Sequence, residues 1–373
     1  MPAADRATAV LTVDLAAIVG NFRILQRRFS GREVAISLKA DAYGVGAAPV
    51  GAALWRAGAR RFFVATLDEG IALRRSLPSA SIAVLHGLTS GPVAEFLHYD
   101  LLPVHNSIAE IDAWLAEAPG RAAGLHLDTG MARLGMPADE VAALASSGRL
   151  RGLPLAFVMS HLGCSDEPEN PLNAQQRDRF VEACRALAVP DGVPRSLVAS
   201  SGVFLDPSFH LDIARPGAAL YGIAPTAGRP NPMRPAIRLS GKILQLRYVD
   251  SDSTVGYGAT HRMTRAGRVA TIGAGYADGV LRALGNRGHV LVDGRRAPVV
   301  GRISMDLLTI DVTDLPEPAV RPGSSVDLIG PGNEIDAVAA AAGTIGYELL
   351  TRLGPRLSRH YLADATSAEG SAA

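Results

Sequence analysis

A lysine stands alone in the stretch AISLKADAYGVGA (35–47) of this 373-residue chain. It follows an apolar run and precedes a turn punctuated by glycine. Only two of the chain's 37 basic residues are lysine, Lys39 and Lys242. An amine can deprotonate, attack a carbonyl and form an imine, and a guanidinium cannot. Other residues suited to chemistry also sit directly after short apolar runs. Leu127-Asp128 leads into TGMARLG with Arg133, and MSHLGC carries His161. ASSG carries Ser200 and Ser201, while DIARPGAALYG carries Arg215 and Gly217. Serine hydroxyls and glycine backbone N–H groups are the usual cradle of a phosphate. An imine-forming lysine beside a phosphate cup suggests pyridoxal 5'-phosphate. An ordinary solvated lysine after a strand is the plainer alternative, and the residues alone leave both open. No metal pattern competes, because the nine histidines show no ligand spacing such as HxxxH beside a carboxylate.

These residues need elements to position them. Short runs rich in Val, Ile, Leu or Phe recur at 34–38, 62–65, 82–85, 101–104, 124–127, 155–159, 196–199 and 211–214. Between them lie stretches of helical period, such as 107–117 with Ile108, Ile111, Trp114 and Leu115 on one face. Alternating strand and helix implies a parallel sheet, and eight repeats are the number that closes a barrel. A doubly wound open sheet alternates in the same way. The fold class expected is α/β, a (β/α)8 TIM-type barrel over 10–238, opened by a helix at 15–29. In such a barrel the C-terminal strand ends face the active site. After Arg238 the texture changes to strands with tight turns at 242–249, 268–273, 289–300 and 307–314. Asp293-Gly294 between two alternating runs is a hairpin signal. Helical period returns at 335–342. A mainly β C-terminal domain over 239–365 follows, joined by residues 1–9, with a disordered tail at 366–373.

Composition narrows the classes. Apolar residues make up 48% and charged residues 20%, enough for a sizeable core. A net charge of +1 without a long run of one sign argues against nucleic acid or an anionic membrane as partner. No apolar stretch approaches the roughly 18 residues of a spanning helix. Asp5 and Arg6 interrupt the N-terminus, so it does not read as a secretory signal. Two cysteines, Cys164 and Cys184, form no disulfide framework. A soluble, cytoplasmic protein is expected.

Across both domains the chain resembles the pyridoxal-phosphate-dependent alanine racemases. The likeness rests on KADAYGVG (39–46), LDTGMARLG (127–135), SHLGCSDE (160–167), ARPGAALYG (214–222), VGYGATH (255–261), GAGYADG (273–279), GRISMD (301–306) and IGYELLTRLGPRLSR (345–359). The resemblance implies a barrel with a C-terminal β domain, pyridoxal 5'-phosphate as cofactor and alanine as substrate. Lys39 would hold the cofactor and act as one base. Tyr276 would be the second base, contributed from the other subunit of a homodimer with shared active sites. Two bases on opposite faces are what racemisation requires. A phenol with a free pKa near 10 needs a neighbour to act near neutrality, and the resemblance gives that part to His161. Arg215 would face the pyridine nitrogen, where a permanent cation keeps that nitrogen unprotonated and weakens the ring as an electron sink. Tyr43, Ser201, Gly217, Ala218 and Tyr347 would hold the phosphate. Arg133 and the backbone at Met305 would hold the substrate carboxylate, and Arg302 and Asp166 would flank the access path.

Two positions depart from the pattern. Where the family usually has a lysine, often carbamylated, that supports the substrate-binding arginine, this chain has His126. The carbamate role cannot be transferred, and a bound anion or a neighbouring acceptor is expected to support Arg133 instead. A buried core histidine is the plainer reading. Ser304 stands where relatives often carry cysteine, with little change expected. The function implied is interconversion of L- and D-alanine, supplying D-alanine for peptidoglycan. The alternatives are a broader serine/alanine racemase and a non-catalytic pyridoxal-phosphate carrier. Arg215 disfavours a decarboxylase, and Tyr276 with the second domain disfavours the carrier.

Overall fold

The computed structural model describes residues 6–362, so the tail expected at 366–373 lies outside the described residues. The chain divides into two compact units. One comprises residues 19–220 and 224–233, and the other gathers, of the described residues, 6–18, 221–223 and 234–362.

The first unit is the barrel. Its strands are β2 (Glu33–Val34), β3 (Ile36–Ser37), β4 (Arg61–Val64), β5 (Ser81–Val84), β6 (Leu102–His105), β7 (Ala123–His126), β8 (Leu155–Met159), β9 (Arg195–Ser196) and β10 (Ile213–Ala214). β3 through β9 form one parallel ladder in sequence order, and β10 pairs in parallel with β2. β2 and β3 are a single strand path broken at Ala35. The Ala35 N–H donates to Ala214 O at 2.9 Å and the Ser37 N–H to Pro216 O at 2.9 Å, which closes the ring. All eight runs read from the sequence land on this ring, the last two as ladders of two residues. The helices between the strands are α2 (Ala47–Arg56), α3 (Leu67–Ser76), α4 (Val93–His98), α5 (Ile108–Glu117), α6 (Ala138–Ser147) and α7 (Pro171–Ala186), with α1 (Leu15–Arg28) leading into β2.

The barrel interior is filled by residues from nearly every strand: Ala35, Phe63, Ala83, Val104, Phe157, Met159 and Ile213. Small and large side chains alternate so that two aromatic rings fit. Phe63 and Phe157 meet edge to face with centroids 5.4 Å apart. Gly124 makes the room, since a Cβ there would stand 2.5 Å from the Phe157 ring. Burying one such ring contributes about 1.5–3 kcal/mol. The interior is therefore a packed plug, and ligands are confined to the mouth.

The second unit is mainly β. β1 (Ala9–Asp14) lies between β11 (Ile237–Val249), antiparallel, and β19 (Ser358–Leu362), parallel. The barrel start expected at residue 10 thus falls inside a strand of the β unit. AVLTVD alternates buried and half-buried positions and is paired on both edges, which commits it to a sheet. The boundary expected at 238/239 likewise falls inside β11, which begins at Ile237. β11 continues to β14 (Gly267–Ile272) and β18 (Ser325–Ile329), and β14 pairs with β17 (Leu308–Asp311). β15 (His289–Val292) and β16 (Arg295–Pro298) form the expected hairpin. Asp293 and Gly294, with φ of 48° and 74°, supply its left-handed turn. α8 (Ile335–Ala341) and α9 (Gly346–Thr351) follow β18.

Candidate active site

Lys39 comes two residues after β3 and is half-buried. The four residues after it, 40–43, all adopt left-handed φ, at 54°, 52°, 54° and 58°. None is glycine, and each such residue costs roughly 1–2 kcal/mol, so the run stores about 4–8 kcal/mol. Such backbone persists only where its surroundings over-determine it. Here the Ala42 N–H donates to Leu38 O at 2.8 Å and the Gly44 N–H to Ala40 O at 2.7 Å. The Ala47 N–H donates to Asp41 Oδ1 at 2.7 Å, and the Ala40 N–H to Glu69 Oε1 at 2.7 Å. The turn brings Tyr43 against Gly217, where a Cβ would stand 2.7 Å from the Tyr43 Cζ.

Arg215 follows β10 directly and is 5% exposed. One Nη donates to Ser160 O at 2.6 Å, and the other to Ser196 Oγ, whose own O–H donates to Ile213 O at 2.6 Å. Its guanidinium carbon lies 5.9 Å from the Phe63 ring centroid. Burial pulls its pKa down to about 9, which leaves it charged near neutrality. Among the described residues no carboxylate pairs with it. A buried cation without a counter-charge is costly, and donors not used by Ser160 and Ser196 remain for a ligand.

The mouth is electropositive. Lys39 has its pKa lowered by burial first and then by Arg133 and Arg215, with Glu69 opposing them. His161 is held neutral, at about 3, by burial and then by Arg215, Arg133, Lys39 and His126. These interactions bring Lys39, Arg133, His161 and Arg215 into one site, as the strand-end rule required. His126 is also pushed to about 3, by burial and then Arg215.

The network around His126 assigns its proton. The Asn106 Nδ2 donates to Leu85 O at 3.1 Å and Val104 O at 2.8 Å, so Oδ1 is left as the acceptor for His126 Nδ1 at 2.9 Å. The proton is therefore on Nδ1, and Nε2 carries a lone pair. Arg133 itself is exposed. Its loop is shaped by Asp128, which accepts from the N–H groups of Gly130, Met131 and Ala132 at 2.9, 2.9 and 3.0 Å. Burial pushes that carboxyl up, but the three N–H groups hold it below the usual range.

The two loops after β9 and β10, where the sequence suggests a phosphate cup, are bonded to each other. Ser200 Oγ accepts from Gly217 N–H at 3.0 Å and Ala219 N–H at 3.2 Å, which ties the loops together. Ser201 and Ala218 are buried beside it, and the Ser201 hydroxyl has no hydrogen-bond partner among the described residues. Gly217 leaves space for Tyr43, whose hydroxyl lies against the same backbone. The sequence singled out Ser200 and Ser201 for this loop but gave no role to Ser196, Asn106 or Glu69. Only the Thr66-x-x-Glu69 spacing carried a readable signal, that of a helix cap.

Tyr276, Met305 and Tyr347 belong to the β unit. Tyr276 and Met305 are 45% and 54% exposed, on two turns bonded to each other. The Tyr276 N–H donates to Ser304 O at 3.1 Å and the Ala277 N–H to Met305 O at 3.0 Å. Arg356 grips both oxygens of the buried Asp278 at 2.8 Å and reaches Asp306 at 2.6 Å, fixing the Tyr276 turn. Ser304 Oγ donates to Leu307 O at 3.0 Å, a local turn bond. Tyr347 is half-buried on α9, Arg302 is exposed in the β unit and Asp166 is exposed in the barrel unit. Among the described residues no cluster of His, Cys, Asp and Glu could hold a metal, no helix is long and apolar enough to cross a membrane, and Cys164 and Cys184 are free.

Residues 13–225 match the family model described as alanine racemase, N-terminal domain, and residues 236–361 match alanine racemase, C-terminal domain. An alanine racemase of Rhodospirillum rubrum is 50% identical over 365 residues, covering 96% of each chain. One from Acidiphilium cryptum is 51% identical over 353 residues, covering 94% of this chain and 97% of that one. The crystal structure of alanine racemase from Bartonella henselae with covalently bound pyridoxal phosphate aligns with a TM-score of 0.91 at 34% identity, covering 95% of this chain and 100% of that chain.

Proposed function

This chain belongs to the alanine racemase family and is a pyridoxal-phosphate-dependent racemase of alanine, and we propose that Lys39 and Tyr276 are its two bases. The donor set of the barrel mouth fits the cofactor: an amine of lowered pKa, a serine hydroxyl without a partner, a glycine that admits Tyr43, and a buried unpaired arginine. Lys39 would carry the group, Tyr43, Ser201, Gly217, Ala218 and Tyr347 would hold its phosphate, and Arg215 would face its ring nitrogen. When bound, pyridoxal phosphate supplies an electron sink that acidifies the Cα–H of an attached amino acid. Arg133 and the backbone at Met305 would hold the substrate carboxylate and so fix which faces the bases meet.

Lys39 then moves the proton at Cα on one face and the partner subunit's Tyr276 on the other. Loss on one side and return on the other inverts the centre. Arg215, charged near neutrality, would keep the ring nitrogen unprotonated and so limit side reactions. The active unit is a homodimer, and we place the protein in the cytoplasm, supplying D-alanine for peptidoglycan. The single observation behind this reading is the placing of Lys39 two residues after β3, half-buried near Arg133 and Arg215, with its pKa lowered. Incubation of the loaded enzyme with L-alanine, and separately L-serine, in D2O tests it. Alanine racemising well above serine, with deuterium at Cα, is expected. Comparable rates would make it a broader racemase, and no exchange with either would make it a carrier.

A further inference from the structure

Residues 40–43 are costly backbone, and one side chain from outside the loop grips them. Glu69 Oε1 accepts the Ala40 N–H at 2.7 Å, while Oε2 accepts the Ala65 N–H at 2.7 Å and the Thr66 N–H at 3.4 Å. One carboxylate therefore staples the chain leaving β3 to the chain leaving β4. We propose that Glu69 is a positioning residue for Lys39, locking the first peptide after the lysine and setting a negative charge beside its amine. The inference rests on the reading of Lys39 given above and deepens it.

The plainer role is helix capping. Thr66 Oγ1 accepts the Glu69 N–H at 3.3 Å, which with Oε2 completes a capping box at the start of α3. The box uses one oxygen only. The bond from Oε1 to Ala40 crosses 29 residues of sequence and contributes nothing to the helix. Charge agrees with the geometry. Of the groups acting on Lys39, Arg133 and Arg215 push its proton off and Glu69 alone holds it on. His161, which also lies near Lys39, is neutral.

Glu69→Gln keeps the size but offers one acceptor and turns an NH2 toward a backbone N–H. Thr66→Ala breaks the cap while leaving the grip on Ala40. Three measurements on the full chain separate them, the third being the affinity for pyridoxal phosphate. The first is hydrogen exchange of the loaded enzyme over residues 38–45. The second is amine labelling of cofactor-free protein across a pH series, with Lys242 as the internal reference. In E69Q the Ala40 amide should exchange at least about tenfold faster, and the Lys39 labelling curve should move to lower pH because a neighbouring negative charge is gone. Pyridoxal phosphate should bind about tenfold more weakly. T66A should leave all three unchanged. E69Q behaving as T66A would overturn the proposal. Lys39→Ala holding the cofactor as tightly as the unaltered chain would instead overturn the role of Lys39, with the Ala40 exchange rate still reporting on the grip of Glu69.

Discussion

Replacing Gly217 with alanine tests whether Tyr43 and the β10 loop form one cup. The new Cβ would stand 2.7 Å from Tyr43 Cζ and 2.9 Å from Cε2, against an ordinary contact of 3.4 Å or more. The ring must therefore retreat by about 0.7 Å at Cζ, and by more at its hydroxyl, the atom nearest the new Cβ, to restore van der Waals distance. It cannot swing into solvent, because Tyr43 is only 8% exposed and ends the left-handed turn that begins after Lys39. Overpacking at a well-packed site costs about 1–3 kcal/mol. Expressed as lost affinity for pyridoxal phosphate, that is a weakening of roughly 5- to 150-fold. Titrating the cofactor into the purified variant and following its absorbance gives the constant. The same titration in a Tyr43→Leu background supplies the control, since G217A should add little once the ring is gone. An unchanged affinity in G217A, or the same added penalty with and without the Tyr43 ring, would refute the shared cup.

Further predictions follow from other parts of the site. Arg215→Glu should cost about 10²–10³ in racemisation, as for loss of a preorganised donor, and should release measurable keto acid from alanine; retention of clean racemisation would contradict the role given to Arg215. His126 is neutral when folded, at about 3, against an unperturbed value of about 6.5. The unfolded chain therefore takes up the proton first, and stability is lost as pH falls from about 6.5 toward 3 at up to about 1.4 kcal/mol per pH unit. Urea midpoints of His126→Gln should show a shallower acid slope than those of the unaltered protein. Mixing inactive Lys39→Ala and Tyr276→Phe chains should restore about a quarter of the activity if sites are shared across a symmetric dimer; no recovery after subunit exchange would place both bases in one chain.

The barrel was legible because its strands are buried on both faces and read as short apolar runs at even spacing. The ends of those runs also delivered Lys39, Arg133, His161 and Arg215 to one mouth. Strands with weak apolar contrast were missed. β19, SRHYL, is half-buried to exposed along its length, and β1 was masked by the helix α1 that follows it directly. The left-handed run at 40–43 was unreadable, since ADAY lacks glycine and local preference favours a right-handed turn. One of the bonds that hold it reaches 29 residues on, to Glu69. The helpers of the other charged groups were equally silent. Ser196 and Asn106 are ordinary polar residues in sequence, and only the closed ring sets them against Arg215 and His126.

The two-base account is tested most directly by Tyr276→Phe in D2O, with L- and D-alanine followed separately for deuterium at Cα and for inversion. With Lys39 intact, one enantiomer should exchange its Cα proton without inverting while the other does neither. Exchange and inversion of both enantiomers at close to the original rate would contradict the assignment of Tyr276 as a base.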